Sequence, residues 1–155
     1  MPRVVMPEAL DLSGLIRPGE TILWGQASGE PLTLTETVMA QRHGLGGLRA
    51  FVGISWHDTV NPAHADAIDF LSYCGTGRTR PLFDAGALDI MPVHYSQFAP
   101  YLAKRVDVLF LHLAPGRTPG TYSFGMACEY LWPLIKSCRL VIAEVNDQLP
   151  ATPGL

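Results

Sequence analysis

The sequence predicts an α/β fold in which an open, mostly parallel sheet is flanked by helices. Segments that can be helical lie between several strand-like segments, an alternation typical of parallel sheets with covered faces. The 155 residues are 48% hydrophobic and 16% charged, which is enough apolar material for one domain with a substantial core. The predicted strands are residues 21–24, 50–56, 68–74, 88–93, 106–113 and 139–145.

The last of these segments has the clearest strand character. Residues 140–143 are an unbroken apolar run, which predicts a strand buried on both faces. Glu144, Asn146 and Asp147 then crowd its carboxyl end. In open α/β sheets the carboxyl ends of the strands are where ligands bind, so this end is a first candidate region for function.

The first helix is predicted to begin just after Pro31. Thr33 has the side chain of an N-cap residue, and Glu36 lies three residues further on, as in a capping box. The apolar positions expected to face the core are Leu34, Val38 and Met39. The run GLGG at residues 44–47 ends this helix and leads into the next strand. As a dinucleotide fingerprint it is misplaced, because a fingerprint follows its strand.

Two more helices are predicted, over residues 96–104 and 125–137. The second has an apolar face that includes Met126, Tyr130 and Leu134, but Pro133 lies inside it and predicts a kink or a break. The Pro- and Gly-rich residues 115–120 predict an exposed loop.

Composition excludes several classes of function. The net charge is −3, the isoelectric point is near 5.9, and the eleven basic residues are scattered, so no nucleic-acid partner is expected. No apolar stretch approaches the roughly 20 residues that span a bilayer. The start, MPRVVMPEALDL, lacks the uninterrupted apolar run of a signal peptide. We therefore expect no membrane association and a cytoplasmic location.

Cysteine and histidine patterns do not predict a metal site. Cys74, Cys128 and Cys138 are odd in number and form no CxxC pair, which favours ordinary buried thiols over a disulfide or a zinc site. The five histidines show no HExxH motif and no ligand partner at helical spacing.

Four predicted strand ends run into loops of small or polar residues. If the sheet is parallel, these loops gather at one edge, where amides freed by glycine could approach an anion or a carbonyl oxygen. Glycines in them could equally serve only the turns. Arg78 could pair with a phosphate or carboxylate, whereas Arg80 fits a solvated loop. The loops are residues 25–31, 53–57, 75–78 and 94–97.

Single residues suggest catalysis less strongly. His94, Tyr95 and Ser96 follow a predicted strand, but a serine nucleophile needs an elbow motif or a placed base, and neither is visible. Glu144 could be a general base or nucleophile, although an acid at a strand end more often fixes neighbouring loops. The same two roles, catalytic acid or structural contact, are open to Glu30, and the structural one is favoured.

Several motifs in order resemble the N-terminal half of the acetyl-CoA hydrolase/transferase family, which includes 4-hydroxybutyrate and acetate CoA-transferases. The resemblance covers residues 15–154. It rests on the motifs IRPGETILWGQASGEPLTLTE, FVGISW, YCGTGRTRPL, LDIMPVHYSQ, DVLFLHLAP and VIAEVNDQLPATPG.

The resemblance implies two related α/β domains with an active site between them. It also implies that a glutamate attacks an acyl-CoA thioester, that CoA forms a thioester with this glutamate, and that a carboxylate or water completes transfer or hydrolysis. The CoA thioester is then the substrate, with no bound cofactor. In the family the glutamate belongs to the C-terminal half, and no position here matches its motif, so the catalytic residue stays unassigned.

What the resemblance carries over is one wall of the substrate site. We expect these residues to contact the acyl group or shape its pocket. They are Gly25, Gln26, Gly53, Ser55, Gly75, Thr76, Gly77, His94, Tyr95, Ser96 and Gln97.

Residues 1–155 are thus expected to form one domain that resembles half of a CoA-transferase or acyl-CoA hydrolase. Its expected partners are acyl-CoA and carboxylate substrates and a C-terminal half, a second subunit or another copy of itself. The alternative is a non-catalytic module that binds CoA or another small molecule. A third interpretation is an independent hydrolase that uses Ser96 and His94.

Overall fold

A computed structural model describes residues 3–152 and places seven strands in one sheet. The strands are β1 (Thr21–Trp24), β2 (Leu48–Phe51), β3 (Ile68–Ser72), β4 (Leu88–Ile90), β5 (Val108–Pro115), β6 (Tyr122–Ser123) and β7 (Leu140–Val145). Their order is β4-β3-β2-β1-β5-β7, all parallel, with the short β6 antiparallel to the end of β5. The predicted α/β class and the mostly parallel sheet are confirmed.

The helices are short. They are α1 (Leu32–Gln41), α2 (Arg80–Asp84) and α3 (Phe98–Leu102). The helix predicted over residues 96–104 begins as a 3-10 turn, Tyr95–Gln97, and continues as α3. Single 3-10 turns also occupy Pro7–Ala9, Ala27–Gly29, Arg42–Gly44, Pro62–Asp66, Gly77–Thr79 and Trp132–Lys136.

The prediction of a helix over residues 125–137 is wrong, since only the 3-10 turn Trp132–Lys136 forms there. Gly125 and Glu129 have φ angles of 62° and 50°, in the left-handed region, which no right-handed helix can include. Pro133 also lacks the N–H that an interior helical residue donates. The apolar spacing is satisfied by an irregular segment that packs Tyr130, Leu131 and Leu134 against the sheet.

The capping box predicted for α1 is also wrong. Pro31 occupies the N-cap position, and no side chain of the first turn caps the helix. The backbone N–H groups of Thr33 and Leu34 instead donate to Oε2 of Glu144, at 2.9 and 3.3 Å. The predicted core positions of α1 are buried, as expected: Leu34, Val38 and Met39.

Side chains alternate between two cores on opposite faces of the sheet. Ile22, Val108 and Phe110 pack on the α1 side. Leu23 and Leu109 pack on the other side, against α3 and the segment before β7. A fully buried parallel strand is apolar at every position for this reason, and β1 and the first half of β5 show it.

The prediction that β7 is buried on both faces is wrong. Leu140 and Ile142 are partly buried against the α1-side core, whereas Val141, Ala143 and Val145 are exposed, Val145 by 49%. Among the described residues β7 pairs only with β5, so it is an edge strand. Its apolar sequence therefore reflects one covered face and one open face.

The edge where the strands begin is held by paired charges. Glu20, only 8% exposed, accepts hydrogen bonds from Nε and Nη2 of Arg139 at 2.5 and 2.6 Å. Asp107 accepts from the backbone N–H of Thr21 at 2.9 Å. The second arginine nitrogen also donates to the carbonyl of Leu15. These contacts join the beginnings of β1, β5 and β7.

Candidate functional site

The four predicted loops follow β1, β2, β3 and β4, which are neighbours in the parallel sheet. They therefore lie along one edge, which we call the strand-end edge, formed by residues 25–31, 53–57, 75–78 and 94–97. Direct contacts join them. The φ-positive Gly77 lies beside the carbonyl of Ser55, and the Gln26 side chain bonds to Ile54.

Gln26 is at the centre of this edge. Its Oε1 accepts hydrogen bonds from the backbone N–H of Ile54 at 3.0 Å and from the hydroxyl of Tyr73 at 2.6 Å. A backbone N–H can only donate, so the atom that faces Ile54 must be the amide oxygen. Nε2, with two hydrogens, is consequently the donor that Gln26 offers elsewhere.

Two glycines make room for this side chain and its loop. A Cβ at Gly53 would lie 2.3 Å from Oε1 of Gln26 and 2.6 Å from its Cβ. A Cβ at Gly25 would lie 2.4 Å from the carbonyl oxygen of Gly29. Both glycines are required for close approach, and neither has a positive φ.

Glu129, from the segment before β7, lies near the same amide, and Tyr130 follows it in the chain. Burial raises the pKa of Glu129 to about 7, and hydrogen bonds from the backbone and side chain of Gln26 act in the opposite direction. Oε2 of Glu129 and the hydroxyl of Tyr130 are both buried without a hydrogen-bond partner among the described residues.

Aromatic rings form the floor beneath these polar groups. Phe51, Phe98 and Tyr130 pack edge to face, with ring centroids 5.6 to 6.2 Å apart. Tyr95 contacts Tyr130 at 5.7 Å and is 48% exposed, so it extends the floor to the surface. Burial raises the pKa of Tyr73 to about 12. Burial also raises the pKa of Tyr95 above its usual value, so both phenols stay neutral donors.

A second acid of the site, the buried Glu30, lies four residues after Gln26 in the same loop. Ser55 donates to Oε2 of Glu30 at 2.7 Å, and the hydroxyl of Ser55 also accepts from the backbone N–H of His57. Burial raises the pKa of Glu30, and the hydrogen bond from Ser55 opposes this. Oε1 of Glu30 has no partner among the residues that the structure describes. Ser55 therefore contacts Glu30 and lies within the edge.

The third loop has local structural roles that the structure makes visible. A Cβ at Gly75 would lie 2.6 Å from the ring of Phe83, so this glycine lets α2 pack closely. Gly77 has a φ of 61° and begins a 3-10 turn, and Thr76 accepts two hydrogen bonds from Thr79 through its carbonyl.

The fourth loop is exposed and does not form a hydrolytic triad. Nδ1 of His94 lies 2.9 Å from Oγ of Ser96 and 3.4 Å from its backbone N–H, which is a cap of the following turn. No hydrogen bond within residues 3–152 joins His94 to a carboxylate. The backbone N–H of Gln97 donates to the carbonyl of His94. This loop therefore supplies an exposed hydroxyl and imidazole without an orienting acid, which disfavours the independent hydrolase.

Glu144 is a structural acid. Its Oε2 caps α1, and its Oε1 lies 3.9 Å from Nε2 of His112. Fixing a neighbouring element is the role that its strand-end position favoured over catalysis.

Two cavities lie away from the strand-end edge. One, of about 340 Å³, opens on the sheet face between Arg49, Asp69 and Tyr101. Within residues 3–152 no group of three His, Cys, Asp or Glu side chains could hold a metal ion. Nor does that part of the chain contain a helix with the length and apolar character to cross a membrane.

Sequence patterns missed Glu129 and Tyr73 as site residues. Glu129 was hidden in a segment with helical apolar spacing, and Tyr73 lay at the end of a predicted strand. The detectable signal is an acid directly before Tyr130, in a stretch that otherwise packs as core.

Comparison with known proteins shows a family match over almost the whole chain. The model of the acetyl-CoA hydrolase/transferase N-terminal domain matches residues 4–155. The 4-hydroxybutyrate coenzyme A transferase of Clostridium kluyveri is 27% identical over 139 residues, which is 86% of this chain and 32% of that protein. A butyryl-CoA:acetate CoA-transferase of Anaerostipes caccae is 24% identical, over 90% of this chain and 33% of its own length.

Solved structures show the same fold. RipA from Yersinia pestis superimposes with a TM-score of 0.86 at 22% identity, over 97% of this chain and 38% of that one. A 4-hydroxybutyrate CoA-transferase from Porphyromonas gingivalis has a TM-score of 0.64 at 21% identity, over 96% and 34%. The chain thus spans about a third of the length of the curated relatives it matches.

Proposed function

This chain belongs to the acetyl-CoA hydrolase/transferase family as an N-terminal domain, and from that membership we propose that its strand-end edge is one wall of a cleft for an acyl-CoA thioester. It is a CoA-transferase-like domain. In the proposed enzyme the opposite wall, with the nucleophilic glutamate, comes from a C-terminal half or a second subunit.

The proposed reaction moves CoA through that glutamate. Its carboxylate attacks the thioester carbonyl carbon, the C–S bond breaks, and CoA leaves as a thiolate from an acyl-glutamyl anhydride. The thiolate then attacks the glutamyl carbonyl, which releases the acyl carboxylate and leaves a glutamyl-CoA thioester. An incoming carboxylate reverses these steps with a new acyl group, whereas water hydrolyses the glutamyl-CoA thioester, which regenerates the glutamate and releases CoA.

The observation that supports this role is the fixed amide of Gln26. Two hydrogen bonds hold Oε1, so Nε2 is an oriented donor at the edge where the loops matching the family motifs meet. Oriented donors stabilise an oxygen that gains negative charge without having to reorganise. Tyr95 and Ser96 are exposed on the same edge and could contact the acyl chain.

Mixing two halves of an enzyme tests the proposal. We expect this chain, combined with the remaining two thirds of the Clostridium kluyveri relative, to restore CoA exchange between acetyl-CoA and butyrate. Gln26→Leu should lower kcat/KM at least tenfold, about 1.4 kcal/mol. The exposed Gln148→Leu is the matched control and should leave it unchanged.

The outcomes separate the proposal from its alternative. Loss of less than twofold for both Gln26→Ala and Ser96→Ala would remove these residues from the site. Binding of acetyl-CoA by calorimetry, without exchange in any combination, would identify a non-catalytic binding module instead.

The surface that we propose for the second half includes the open face of β7. Val141, Ala143 and Val145 form an exposed apolar row on an edge strand. Sedimentation should show either a complex with the C-terminal half or self-association, and Val145→Lys should weaken it.

A further inference from the structure

We propose that Glu30 is a positioning residue for the loop of residues 53–57: its buried carboxyl group holds the hydroxyl of Ser55, and this contact fixes the turn that presents Trp56 at the strand-end edge. The structural inference stands on hydrogen bonds between described residues. Only its consequence for CoA transfer rests on the proposed function.

The hydroxyl of Ser55 joins two loops through one oxygen. Its distance to Oε2 of Glu30 is 2.7 Å, shorter than the 3.1 Å to the carbonyl oxygen of His57. A hydroxyl has one hydrogen to donate, so the bond to the carboxyl group is the favoured one. The same oxygen accepts from the backbone N–H of His57 at 3.1 Å, which is the pattern of a serine turn. Ser55 therefore ties a turn of its own loop to an acid of the loop before α1.

Trp56 lies in the middle of this turn. Ser55 is buried, with 8% exposed, whereas Trp56 is 62% exposed. An indole at this exposure can contact a ligand, and aromatic side chains commonly line binding sites. The buried contact between Ser55 and Glu30 thus lies directly before the exposed side chain that it orients.

Further contacts between the same two loops hold the residue before Ser55. The carbonyl of Ile54 accepts from the backbone N–H of Ala27 at 2.8 Å, and the N–H of Ile54 donates to Oε1 of Gln26 at 3.0 Å. Ala27 has a φ of 49°, a left-handed conformation that is unfavourable for a residue with a Cβ and persists where surrounding contacts fix it. The loop before α1 therefore holds the second loop at two successive positions, and Glu30 supplies the second of these contacts.

The surroundings of Glu30 argue against a purely stabilising role. The residue is 4% exposed, no ion pair of residues 3–152 includes it, and its Oε1 has no partner within that range. Burying a carboxyl group with an unsatisfied oxygen is unfavourable. Replacing both partners of a buried hydrogen bond by apolar groups is often neutral or stabilising. Removal of the pair should therefore change the turn without lowering stability, which a stabilising contact would not do.

Nuclear magnetic resonance of the ¹⁵N-labelled chain tests this directly, with no CoA present. The turn is followed through the indole N–H signal of Trp56, assigned by its absence in Trp56→Phe, and through the backbone amide signal of His57. We expect both signals to shift by more than their linewidths in Glu30→Met and in Ser55→Ala. In Glu30→Gln, which keeps an acceptor oxygen, the shifts should be less than half as large. The exposed Glu36→Met is the matched control and should leave both signals in place.

The double variant of Glu30→Met and Ser55→Ala separates positioning from stabilisation. Its signals should match those of Ser55→Ala, because Glu30 has then already lost its donor. Its midpoint of urea unfolding should equal or exceed that of the wild type.

Three results would overturn the proposal. They are signals that do not move in Glu30→Met, shifts of the two single variants that add in the double variant, and a midpoint of the double variant below that of the wild type. If Glu30→Met does not fold, Ser55→Ala serves instead, and an unmoved Trp56 signal in that variant would also overturn it.

The consequence for CoA transfer is measured separately, in the mixture of two enzyme halves. Glu30→Met should lower kcat/KM at least fivefold, whereas Glu30→Gln should keep at least half of the wild-type value. An unchanged kcat/KM in Glu30→Met would overturn this consequence. A chain that shows the signal shifts but supports no exchange in any mixture would contradict the proposed function alone.

Discussion

The two edges of the sheet treat buried carboxylates in opposite ways. Where the strands begin, Glu20 is paired with Arg139 by two hydrogen bonds, and the pairing holds its pKa below the usual range. Where the strands end, no ion pair of residues 3–152 includes Glu30 or Glu129, and burial raises the pKa of each. The first edge is built for stability. The second keeps unsatisfied polar groups, a pattern typical of sites that act on ligands.

The difference follows from what each edge must do. Removing a carboxylate from water is unfavourable unless a charged partner and hydrogen bonds compensate it, as they do for Glu20. An acid left without compensation lowers stability and persists where it serves another purpose. Substitutions at each of the two edges test this difference.

Breaking the paired edge should give the largest loss of stability. Arg139→Ala leaves Glu20 buried with the backbone N–H of Arg17 as its one donor among residues 3–152, and should lower the free energy of unfolding by about 3 kcal/mol. Urea unfolding at pH 7 measures it.

The matched control for this variant is Arg80→Ala. Arg80 and Asp84 form an exposed pair at 3.6 Å, so the loss of free energy of unfolding should stay below about 0.5 kcal/mol.

The pairing of Glu20 should also depend on pH. Because the pKa of Glu20 is lowered in the folded chain, the stability from its pairing is present above the unfolded pKa of 4.5 and is lost as pH falls through the folded pKa. The difference in the free energy of unfolding between Arg139→Ala and the wild type should therefore become smaller at acidic pH. A difference that stays constant down to pH 3 would show that lost packing of the Arg139 side chain, and not the ion pair, explains the destabilisation.

Filling the space at the strand-end edge should have the next largest effect. Gly53→Ala places a Cβ against Gln26, and we expect the free energy of unfolding in urea to fall by about 2 kcal/mol and the side-chain amide signals of Gln26 in the nuclear magnetic resonance spectrum of the ¹⁵N-labelled chain to change. Gly44→Ala, where nothing lies within 4 Å, is the control and should leave both unchanged. Equal behaviour of the two variants would mean that the close approach at Gly53 is unimportant.

Replacing Glu129 with a neutral glutamine at the strand-end edge should stabilise the chain at pH values above neutrality. The folded pKa of Glu129 is about 7, against 4.5 unfolded, so the folded chain binds the proton more tightly and stability falls as pH rises between these values. Glu129→Gln removes this fall. Since the group is partly screened by solvent, we expect a gain of about 1 kcal/mol at pH 8 relative to the difference at pH 5. Thermal unfolding at pH 5 and pH 8 measures the effect. An equal change in stability between the two pH values for the variant and the wild type would contradict the prediction.

Removing the cap supplied by β7 should have the smallest effect. Glu144→Ala deprives the first turn of α1 of its acceptor, at a cost of about 1 kcal/mol. Glu144→Gln keeps an acceptor oxygen and should recover at least half of that loss in urea unfolding. Failure of the glutamine to recover stability would assign the effect to charge at the helix start rather than to the hydrogen bonds.

The sequence by itself determined the α/β class, six of the seven segments that become strands, and the edge where the four loops meet. These follow from local apolar runs and from the rule that the carboxyl ends of parallel strands share an edge. It misjudged β7 because an unbroken apolar run does not say whether a second face is covered.

Only the tertiary structure decided how the site is assembled. Glu144 caps a helix that begins 112 residues before it, and the hydroxyl of Tyr73 donates to Oε1 of Gln26 across 47 residues of sequence. Helical apolar spacing over residues 125–137 gave no sign of the left-handed backbone at Gly125 and Glu129. Long-range hydrogen bonds and burial depend on which segments the fold brings together, and no local pattern contains that information.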